Sequence, residues 1–223
     1  MRPLLIIRPE PGNAETAARA RAFELDTRCI PLFEVRPVPW SPPDPAPYVG
    51  VLLTSASALR TAGPELARYL HLPAFAVGGT TARLARDAGF HSVVVGESDV
   101  TRLMGKIATL GLHRLLHFCG KDVRSFDPYG IVIDRCIVYA SEAIEPPETF
   151  RSALAEGPVA MVHSPLAAVR LAELVEPESR AHIALVAISA NAAGAAGQGW
   201  EVVAIASQPR DEAILEAAAR LCR

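Results

Sequence analysis

Short apolar runs alternate with longer amphipathic stretches along the whole chain. The apolar runs lack polar alternation, which is typical of strands that are buried on both faces of a parallel sheet. The predicted strands are 3–7, 28–33, 49–53, 74–77, 92–95, 114–118, 132–139, 159–163, 183–188 and 202–205. The predicted helices are 13–23, 58–70, 80–88, 99–110 with Ser98 as its N-cap, 148–155, 166–175, 191–198 and 211–221. This alternation predicts an α/β protein with parallel sheets.

Four segments of the first half have counterparts, in the same order, in the second half. The pairs are LLIIRPE (4–10) with LLHFCGK (115–121), TRCIPLFEV (27–35) with DRCIVYASE (134–142), GVLLTSASA (50–58) with VAMVHSPLA (159–167), and AFAVGGTTARLARDAGF (74–90) with ALVAISANAAGAAGQGW (184–200). Residues 1–110 and 111–223 are therefore interpreted as two copies of one unit.

Prolines indicate where the domains divide. Six of the 19 prolines lie between positions 37 and 47, and Pro146 and Pro147 lie at the corresponding point of the second copy. Such segments are extended linkers rather than element interiors. We therefore predict a discontinuous domain that joins 1–34 to 147–223 and a contiguous domain at 47–138. Linkers 35–46 and 139–146 would join them, with strand-like stretches 34–39 and 139–145 side by side. Two sequential domains, 1–110 and 111–223, remain the alternative.

Composition and charge exclude several classes of protein. The chain is 50% hydrophobic, which excludes wholesale disorder, and its formal net charge of −2 disfavours a nucleic-acid partner. The four cysteines form no C-x-x-C pair and the six histidines show no metal spacing, so we expect reduced thiols and no metal. No apolar run is as long as a signal peptide or membrane helix, which predicts a cytoplasmic protein without a membrane partner. Dinucleotide and phosphate-loop motifs are also lacking.

Small polar clusters follow three predicted strands. They are Thr54-Ser55-Ala56-Ser57, Gly78-Gly79-Thr80-Thr81 and His163-Ser164-Pro165. Because the carboxyl ends of parallel strands face the ligand crevice and helix N-termini bind anions, these clusters predict a cleft between the domains for an anionic small molecule. The alternative is that Thr54, Ser57, Thr80 and Ser164 are only N-caps.

Further polar side chains lie at predicted strand ends. Arg8 is either an anion clamp or a surface residue, and Lys121 and Arg124, after Gly120, either hold carboxylates or are solvated. Tyr139 is either a packed aromatic residue or part of a site. A serine hydrolase is disfavoured, because the adjacent residues His163 and Ser164 point to opposite faces and no G-x-S-x-G motif is present.

Taken together, seven motifs resemble the uroporphyrinogen-III synthase family. They are IIRPE (6–10), LLTSASAL (52–59), AVGGTTARLARDAGF (76–90), HFCGKDVR (117–124), CIVYASE (136–142), HSPLAAV (163–169) and AISANAA (187–193). The resemblance covers nearly the whole chain. It implies two similar flavodoxin-like parallel-sheet domains joined by a two-stranded linker, the first domain being discontinuous, as the repeats and prolines also predict.

The resemblance implies an activity. The substrate is the linear tetrapyrrole hydroxymethylbilane, a polycarboxylate, and the products are uroporphyrinogen III and water. The family inverts the last pyrrole ring through a spirocyclic intermediate, needs no cofactor and is monomeric. A flexible substrate of this kind requires orientation between two hinged domains and a proton donor near the leaving hydroxyl.

The resemblance also implies site residues. Tyr139 matches the tyrosine proposed to assist loss of the hydroxyl, and Thr81 matches the threonine of a glycine–threonine turn. The candidate catalytic residues are thus Tyr139 and Thr81, and the candidate substrate-binding residues are Arg8, Thr54, Ser55, Ser57, Gly78, Thr80, Gly120, Lys121, Ser164 and Asn191. The chain departs from the family at Ser189 and Ala192, where many members have glycine and threonine, and Asn191 could supply the missing donor. A two-lobed anion-binding or sensor protein without catalysis is the alternative function, and a scaffold protein is the weakest.

Overall fold

The computed structural model describes residues 1–96, 100–123 and 125–223. They form two compact units, which are described separately below. Unit 1 comprises Met1–Glu34 and Glu142–Arg223, and unit 2 comprises Val35–Ser141. The domain bounds from the sequence analysis stay a prediction, because a compact unit is not by itself an independently folding domain.

The strands are β1 Leu4–Ile6, β2 Thr27–Cys29, β3 Phe33–Pro37, β4 Val51–Leu53, β5 Ala74–Val77, β6 Val93–Gly96, β7 Arg114–Gly120, β8 Val132–Ala143, β9 Val159–Val162, β10 Ala184–Ala187 and β11 Val202–Ile205. The α-helices are α1 Gly12–Ala20, α2 Ala56–Thr61, α3 Gly79–Asp87, α4 Val100–Thr109, α5 Thr149–Ala155, α6 Pro165–Leu174, α7 Pro177–Arg180, α8 Ala190–Ala195 and α9 Asp211–Cys222. Short 3₁₀ helices span Arg21–Phe23 and Pro64–Tyr69.

Every predicted strand and helix overlaps an observed one, but two of them are divided in the structure. The predicted strand 28–33 ends at Cys29, because Pro31 has no N–H for a ladder, and a separate strand β3 begins at Phe33. The predicted helix 58–70 is broken at Gly63, whose φ of 71° is left-handed, and at Pro64. Helix α7 was not predicted, and the predicted N-cap Ser98 lies outside the described residues.

Unit 1 contains a five-stranded sheet in the order β11-β10-β9-β1-β2, and its pairs are parallel. Helices α1 and α9 cover one face, where Ala17, Ile214 and Ala218 pack on the buried strands. Helices α5, α6 and α8 cover the other face through side chains such as Phe150 and Leu171. Burial on both faces accounts for the unbroken apolar runs of these strands.

Unit 2 contains a six-stranded sheet in the order β3-β8-β7-β4-β5-β6, and the described pairs from β8 to β6 are parallel. Helices α2 and α3 cover one face and α4 covers the other. At the edge, Val38 N–H donates to the Val138 carbonyl at 3.0 Å. The chain passes between the units along β3 and β8, the strands predicted to run side by side.

The two sheets share one strand order. Unit 1 follows β2-β1-β9-β10-β11, and unit 2 follows β8-β7-β4-β5-β6, so β7 takes the place of β1 and β4 takes the place of β9. The register agrees, because Ile6 pairs with Met161 as His117 pairs with Leu52. This order is that of flavodoxin-like sheets. The units are therefore circular permutations of one fold, which confirms the predicted parallel α/β class.

Aromatic side chains hold the proline-rich segment on unit 2. The Tyr69 hydroxyl donates to the Pro43 carbonyl at 2.7 Å, and Trp40 Nε1 donates to the Ala62 carbonyl at 3.0 Å. The Trp40 ring also packs edge-on against Phe118. Among the described residues, none of the helices combines the length and the apolar character that crossing a membrane requires.

Candidate active site

In each sheet the strand order reverses at one place, between β1 and β9 in unit 1 and between β7 and β4 in unit 2. Ligands of open parallel sheets bind beyond the carboxyl ends of the strands at this switch point. In unit 2 the residues that end or follow these strands are Thr54, Ser55, Gly120 and Lys121. The structure thus brings four of the predicted binding residues to one edge of unit 2.

Tyr139 stands over Gly120 at this edge. The two residues are paired across β7 and β8 beside an irregularity in the register, and Lys121 N–H donates to the Tyr139 carbonyl at 2.9 Å. A Cβ built on Gly120 would lie 2.6 Å from Cε2 and Cζ of the tyrosine ring, far inside van der Waals contact. Only glycine therefore leaves room for the ring in this position.

Burial of the half-buried Tyr139 phenol raises its pKa above the ordinary value, and the side chain of Ser55 opposes this shift only in part. The phenol is therefore neutral near pH 7 and holds a proton that it can donate.

Thr54 contacts a buried histidine that the sequence analysis quoted in a motif but did not select. Thr54 Oγ1 lies 2.8 Å from Nε2 of His117, and the histidine is fully buried. Burial, aided by the charge of Arg135, lowers the pKa of His117 to about 4, so the ring is neutral at physiological pH. His117 could have been noticed in the sequence, because it is a histidine inside the largely apolar run of β7.

Several predicted hydroxyls cap helices. Ser55 Oγ accepts from the Ser57 N–H at 3.2 Å, and Ser164 Oγ accepts from the Ala167 N–H at 3.1 Å. Ser189, at the family departure, caps α8 through the Ala192 N–H at 3.3 Å. Ser164 is thus an N-cap, and its role in substrate binding stays a prediction, because each capping hydroxyl keeps its own hydrogen for another acceptor.

The remaining hydroxyl and amide candidates lie at the starts of α3 and α8. Gly78 precedes α3 with a left-handed φ of 80°, Thr80 is exposed in the first turn, and Thr81 is buried beneath it. Asn191 is exposed in the first turn of α8. The predicted catalytic hydroxyl of Thr81 therefore faces the interior of unit 2.

In unit 1, Arg8 belongs to a charged cluster around Asp211, the first residue of α9. Asp211 accepts from Arg8 at 3.2 Å, from Thr16 at 2.9 Å, from Arg19 at 2.7 Å and from His163 Nε2 at 3.0 Å. Asp211 was not predicted from the sequence, because its partners come from three distant segments. The Arg8 guanidinium thus already contacts a carboxylate of the protein itself.

Opposing effects act on the acidity of Asp211. Burial acts to raise the pKa of this carboxyl, but the bonds from His163, Arg19 and Thr16 outweigh burial and hold the pKa well below its usual range. Burial lowers the pKa of His163, against the influence of Asp211, so this imidazole is neutral. Lys121 is exposed, and Arg124 lies outside the described residues.

The chemistry available is proton donation by a phenol and binding of carboxylates by hydroxyls, amides and helix N-termini. In the described part of the chain, no three His, Cys, Asp or Glu residues are grouped in a way that could hold a metal ion.

Comparison with known proteins agrees with the motifs. The model of one protein family, described as uroporphyrinogen-III synthase HemD, matches residues 14–216. No curated protein matches the chain by sequence. A crystal structure of uroporphyrinogen-III synthetase from Helicobacter pylori is 21% identical, with a TM-score of 0.67 over 99% of this chain and 100% of that chain. A uroporphyrinogen III synthase mutant from Thermus thermophilus is 16% identical, with a TM-score of 0.48 and 98% coverage of each chain.

The similarity of fold rests on the Helicobacter pylori structure, and the family assignment rests on the family model, which spans most of the chain. Both confirm the resemblance found in the motifs. The chain belongs to the uroporphyrinogen-III synthase family, the lyases that cyclise hydroxymethylbilane in tetrapyrrole biosynthesis.

Proposed function

We propose that this chain closes hydroxymethylbilane to uroporphyrinogen III and water, with Tyr139 as the proton donor to the departing hydroxyl. The observation that carries the assignment of this residue is a half-buried, neutral phenol at the carboxyl edge of the unit 2 sheet, held over Gly120 so closely that only glycine leaves room for the ring. We further propose that the protein is a monomer, acts in the cytoplasm, and needs no nucleic-acid, membrane or cofactor partner.

The proposed reaction consumes one proton when the hydroxyl leaves and releases one proton when the ring closes. The C–O bond of the hydroxymethyl group breaks with its electron pair on oxygen, and the phenol proton converts the departing hydroxide into water. The tetrapyrrole is left as an azafulvene cation, and ring closure later releases a proton from a pyrrole carbon, which restores the phenol. The phenol is protonated between turnovers, and its raised pKa means that the proton is transferred as the C–O bond breaks rather than released to solvent beforehand.

We assign the substrate carboxylates mainly to short neutral donors. In unit 2 these are the hydroxyls of Thr54, Ser55, Ser57 and Thr80, together with the backbone near Gly78 and Gly120. The exposed Lys121 adds one positive charge in this unit. In unit 1 they are Ser164 and Asn191, at the N-termini of α6 and α8. Helix N-termini attract carboxylates without net positive charge, in keeping with the formal charge of −2.

Two predicted roles are qualified in this proposal. Arg8 would have to exchange its contact with Asp211 for a substrate carboxylate. The buried Thr81 stays a candidate that shapes the first turn of α3 rather than one that touches the reacting atoms.

Analysis of the product tests the proposal. Hydroxymethylbilane is generated enzymatically, this protein is added, and the oxidised uroporphyrin isomers are separated by chromatography. Without an enzyme the bilane closes to isomer I, so a dominant isomer III peak is the expected result. Isomer I alone, from protein shown to be folded by circular dichroism, would reject the proposed activity.

A further inference from the structure

The contact between His117 and Thr54 lies next to the proposed site but has no role in it so far. His117 is on β7, opposite Leu52 of β4, and Thr54 is the first residue after that strand. Both side chains therefore lie on the same face of the sheet, where Nε2 and Oγ1 are 2.8 Å apart. The edge of the Phe126 ring packs on the imidazole, with 5.7 Å between ring centroids.

The other ring nitrogen decides which group donates. Nδ1 of His117 is buried and has no hydrogen-bond partner in the part of the chain that the structure describes. A neutral imidazole carries one hydrogen, on either Nδ1 or Nε2. A hydrogen on Nδ1 would be a buried donor without an acceptor, which native proteins rarely contain, whereas a hydrogen on Nε2 is used by Thr54.

We infer that His117 is a positioning residue that donates its Nε2 hydrogen to Thr54 and so leaves the threonine hydroxyl hydrogen to donate to a substrate carboxylate. The inference deepens the proposed function and rests on it, since there Thr54 is a ligand of the substrate. With the opposite tautomer, the Thr54 hydroxyl would donate its only hydrogen to Nε2 of His117. The threonine oxygen would then present only lone pairs to the substrate, and these repel a carboxylate.

The internal repeat shows that the fold itself does not require a histidine at this place. In unit 1 the equivalent position is Ile6, which pairs with Met161 as His117 pairs with Leu52 and is fully buried. An isoleucine therefore packs at the equivalent position of the equivalent strand in the other sheet. His117→Ile thus removes the donor with a side chain that this architecture already accepts.

A double-mutant cycle tests the inference with steady-state KM and kcat for hydroxymethylbilane. We expect Thr54→Val and His117→Ile each to raise KM about 3- to 10-fold, the worth of one hydrogen bond, with little change in kcat. In the Thr54→Val background, His117→Ile should add nothing. His117→Gln, whose amide can reach Thr54, should restore a KM near that of the wild type. The exposed His113→Gln is the matched control.

A second measurement does not depend on turnover or on the stability of a variant. Long-range ¹H–¹⁵N spectra of the histidine side chains report the tautomer in the wild-type protein, and His117→Gln assigns the signal. The expected result is the Nε2–H tautomer. The Nδ1–H tautomer would overturn the inference even if every variant folds poorly.

The outcomes separate this inference from the proposal beneath it. If Thr54→Val raises KM while His117→Ile does not, the role of His117 is rejected and that of Thr54 stands. If Thr54→Val leaves KM unchanged, the contact of Thr54 with the substrate fails, and the role of His117 fails with it. If the wild type makes only isomer I, the proposed activity itself is rejected.

Discussion

Tyr139 and Gly120 illustrate how the sheet of unit 2 holds the side chain of the proposed proton donor. The tyrosine ring lies close to where a Cβ of residue 120 would be, so glycine is needed for the geometry of a neighbouring strand rather than for a turn. The hydrogen bond from Lys121 N–H to the Tyr139 carbonyl adds a second constraint, on the backbone. Together these two contacts fix the position from which the proton would leave.

Removing the hydroxyl of Tyr139 tests the proton transfer directly. We expect Tyr139→Phe to lower kcat about 10-fold or more with little change in KM, which is in the range for a positioned proton donor. Tyr129→Phe is the matched control, because Tyr129 is an exposed tyrosine of the same unit. Equal kcat values for the two variants would remove Tyr139 from the mechanism.

Gly120→Ala tests the position of the Tyr139 ring, whereas Tyr139→Phe tests its hydroxyl group. The added methyl would lie 2.6 Å from the tyrosine ring, so the ring must move. We therefore expect kcat to fall as in Tyr139→Phe, and the fluorescence or NMR signals of Tyr139 to shift. Wild-type kinetics in a folded Gly120→Ala protein would show that the position of the ring does not matter.

At this scale the sequence pointed to candidate residues at strand ends but not to the residues that contact them. Thr54 was selected because it follows an apolar strand and opens a polar cluster, and Tyr139 because it ends a predicted strand and matches the tyrosine of the family. His117 was not selected, because its importance depends on a contact with a residue 63 positions away along the chain. Asp211 was missed for the same reason, as its partners lie 48 to 203 positions away.

Helix α9 is tied to the rest of unit 1 by the cluster around its first residue. Asp211 receives hydrogen bonds from α1 through Thr16 and Arg19, from Arg8 after β1 and from His163 after β9. A carboxylate in the first turn also interacts favourably with the helix dipole. The Asp211 side chain therefore connects α9 by hydrogen bonds to α1 and to the segments that follow β1 and β9.

Replacing Asp211 by asparagine should weaken unit 1. Two guanidinium groups lose their counter-charge, although both are about a third exposed, which reduces the effect. We expect a loss of about 2 to 3 kcal/mol in the free energy of unfolding, measured with urea. Glu216→Gln, on the exposed face of the same helix, is the control. A loss of unfolding free energy below roughly 0.5 kcal/mol, the size expected for an ordinary surface substitution, would show that Asp211 does not stabilise the attachment of α9.

The lowered pKa of Asp211 also sets the pH dependence of stability. A carboxyl whose folded pKa lies below its unfolded value of about 3.9 stabilises the protein above that pH, and the contribution is lost as the pH falls through the folded pKa. The lowered pKa of His163 acts in the same direction below about pH 6.5. We expect the stability difference between wild type and Asp211→Asn to shrink below pH 4 in urea titrations. A constant difference down to pH 2 would contradict this assignment.

Elements were predictable where propensity and burial agree. Helix α9 and strands β5 and β11 were placed to within a residue. The helix predicted at 58–70 was not, because Gly63 and Pro64 interrupt a pattern that is apolar at helical spacing on both sides. Local periodicity therefore indicates the buried face of an element but not always its continuity.

For the whole molecule, the repeat was visible in the sequence because strand ends and the following turns are similar in both copies. The order of strands within each sheet could not be obtained this way, since it depends on which distant strands pair. The structure shows that β7 corresponds to β1 and β4 to β9. The two copies are therefore circular permutations, because the chain enters the shared strand order at β1 in unit 1 and at the counterpart of β9 in unit 2. The proline-rich segment marks the place where the chain enters unit 2.

Independent folding of unit 2 is the prediction at this scale. Four of its five parallel strands and all of their helices lie within Val35–Ser141, as does β8 up to Ser141, and its buried clusters are composed of its own residues. We expect a fragment of residues 35–141 to give dispersed NMR spectra and a cooperative urea transition. A fragment of residues 1–110, the first of the two sequential domains considered above, is the comparison and should not fold. Cooperative folding of 1–110 but not of 35–141 would reject the predicted domain division.

The permuted order has a consequence for synthesis on the ribosome. Strand β1 pairs with β9, and Leu4 and Val159, which face each other, are 155 positions apart. At 5–20 residues per second, about 8 to 30 s pass between their translation. Unit 2 is complete before β9 is made, so the nascent chain carries a finished sheet and an apolar N-terminal strand that still lacks one neighbour. During that interval β1 is the segment of the newborn protein most in need of a chaperone.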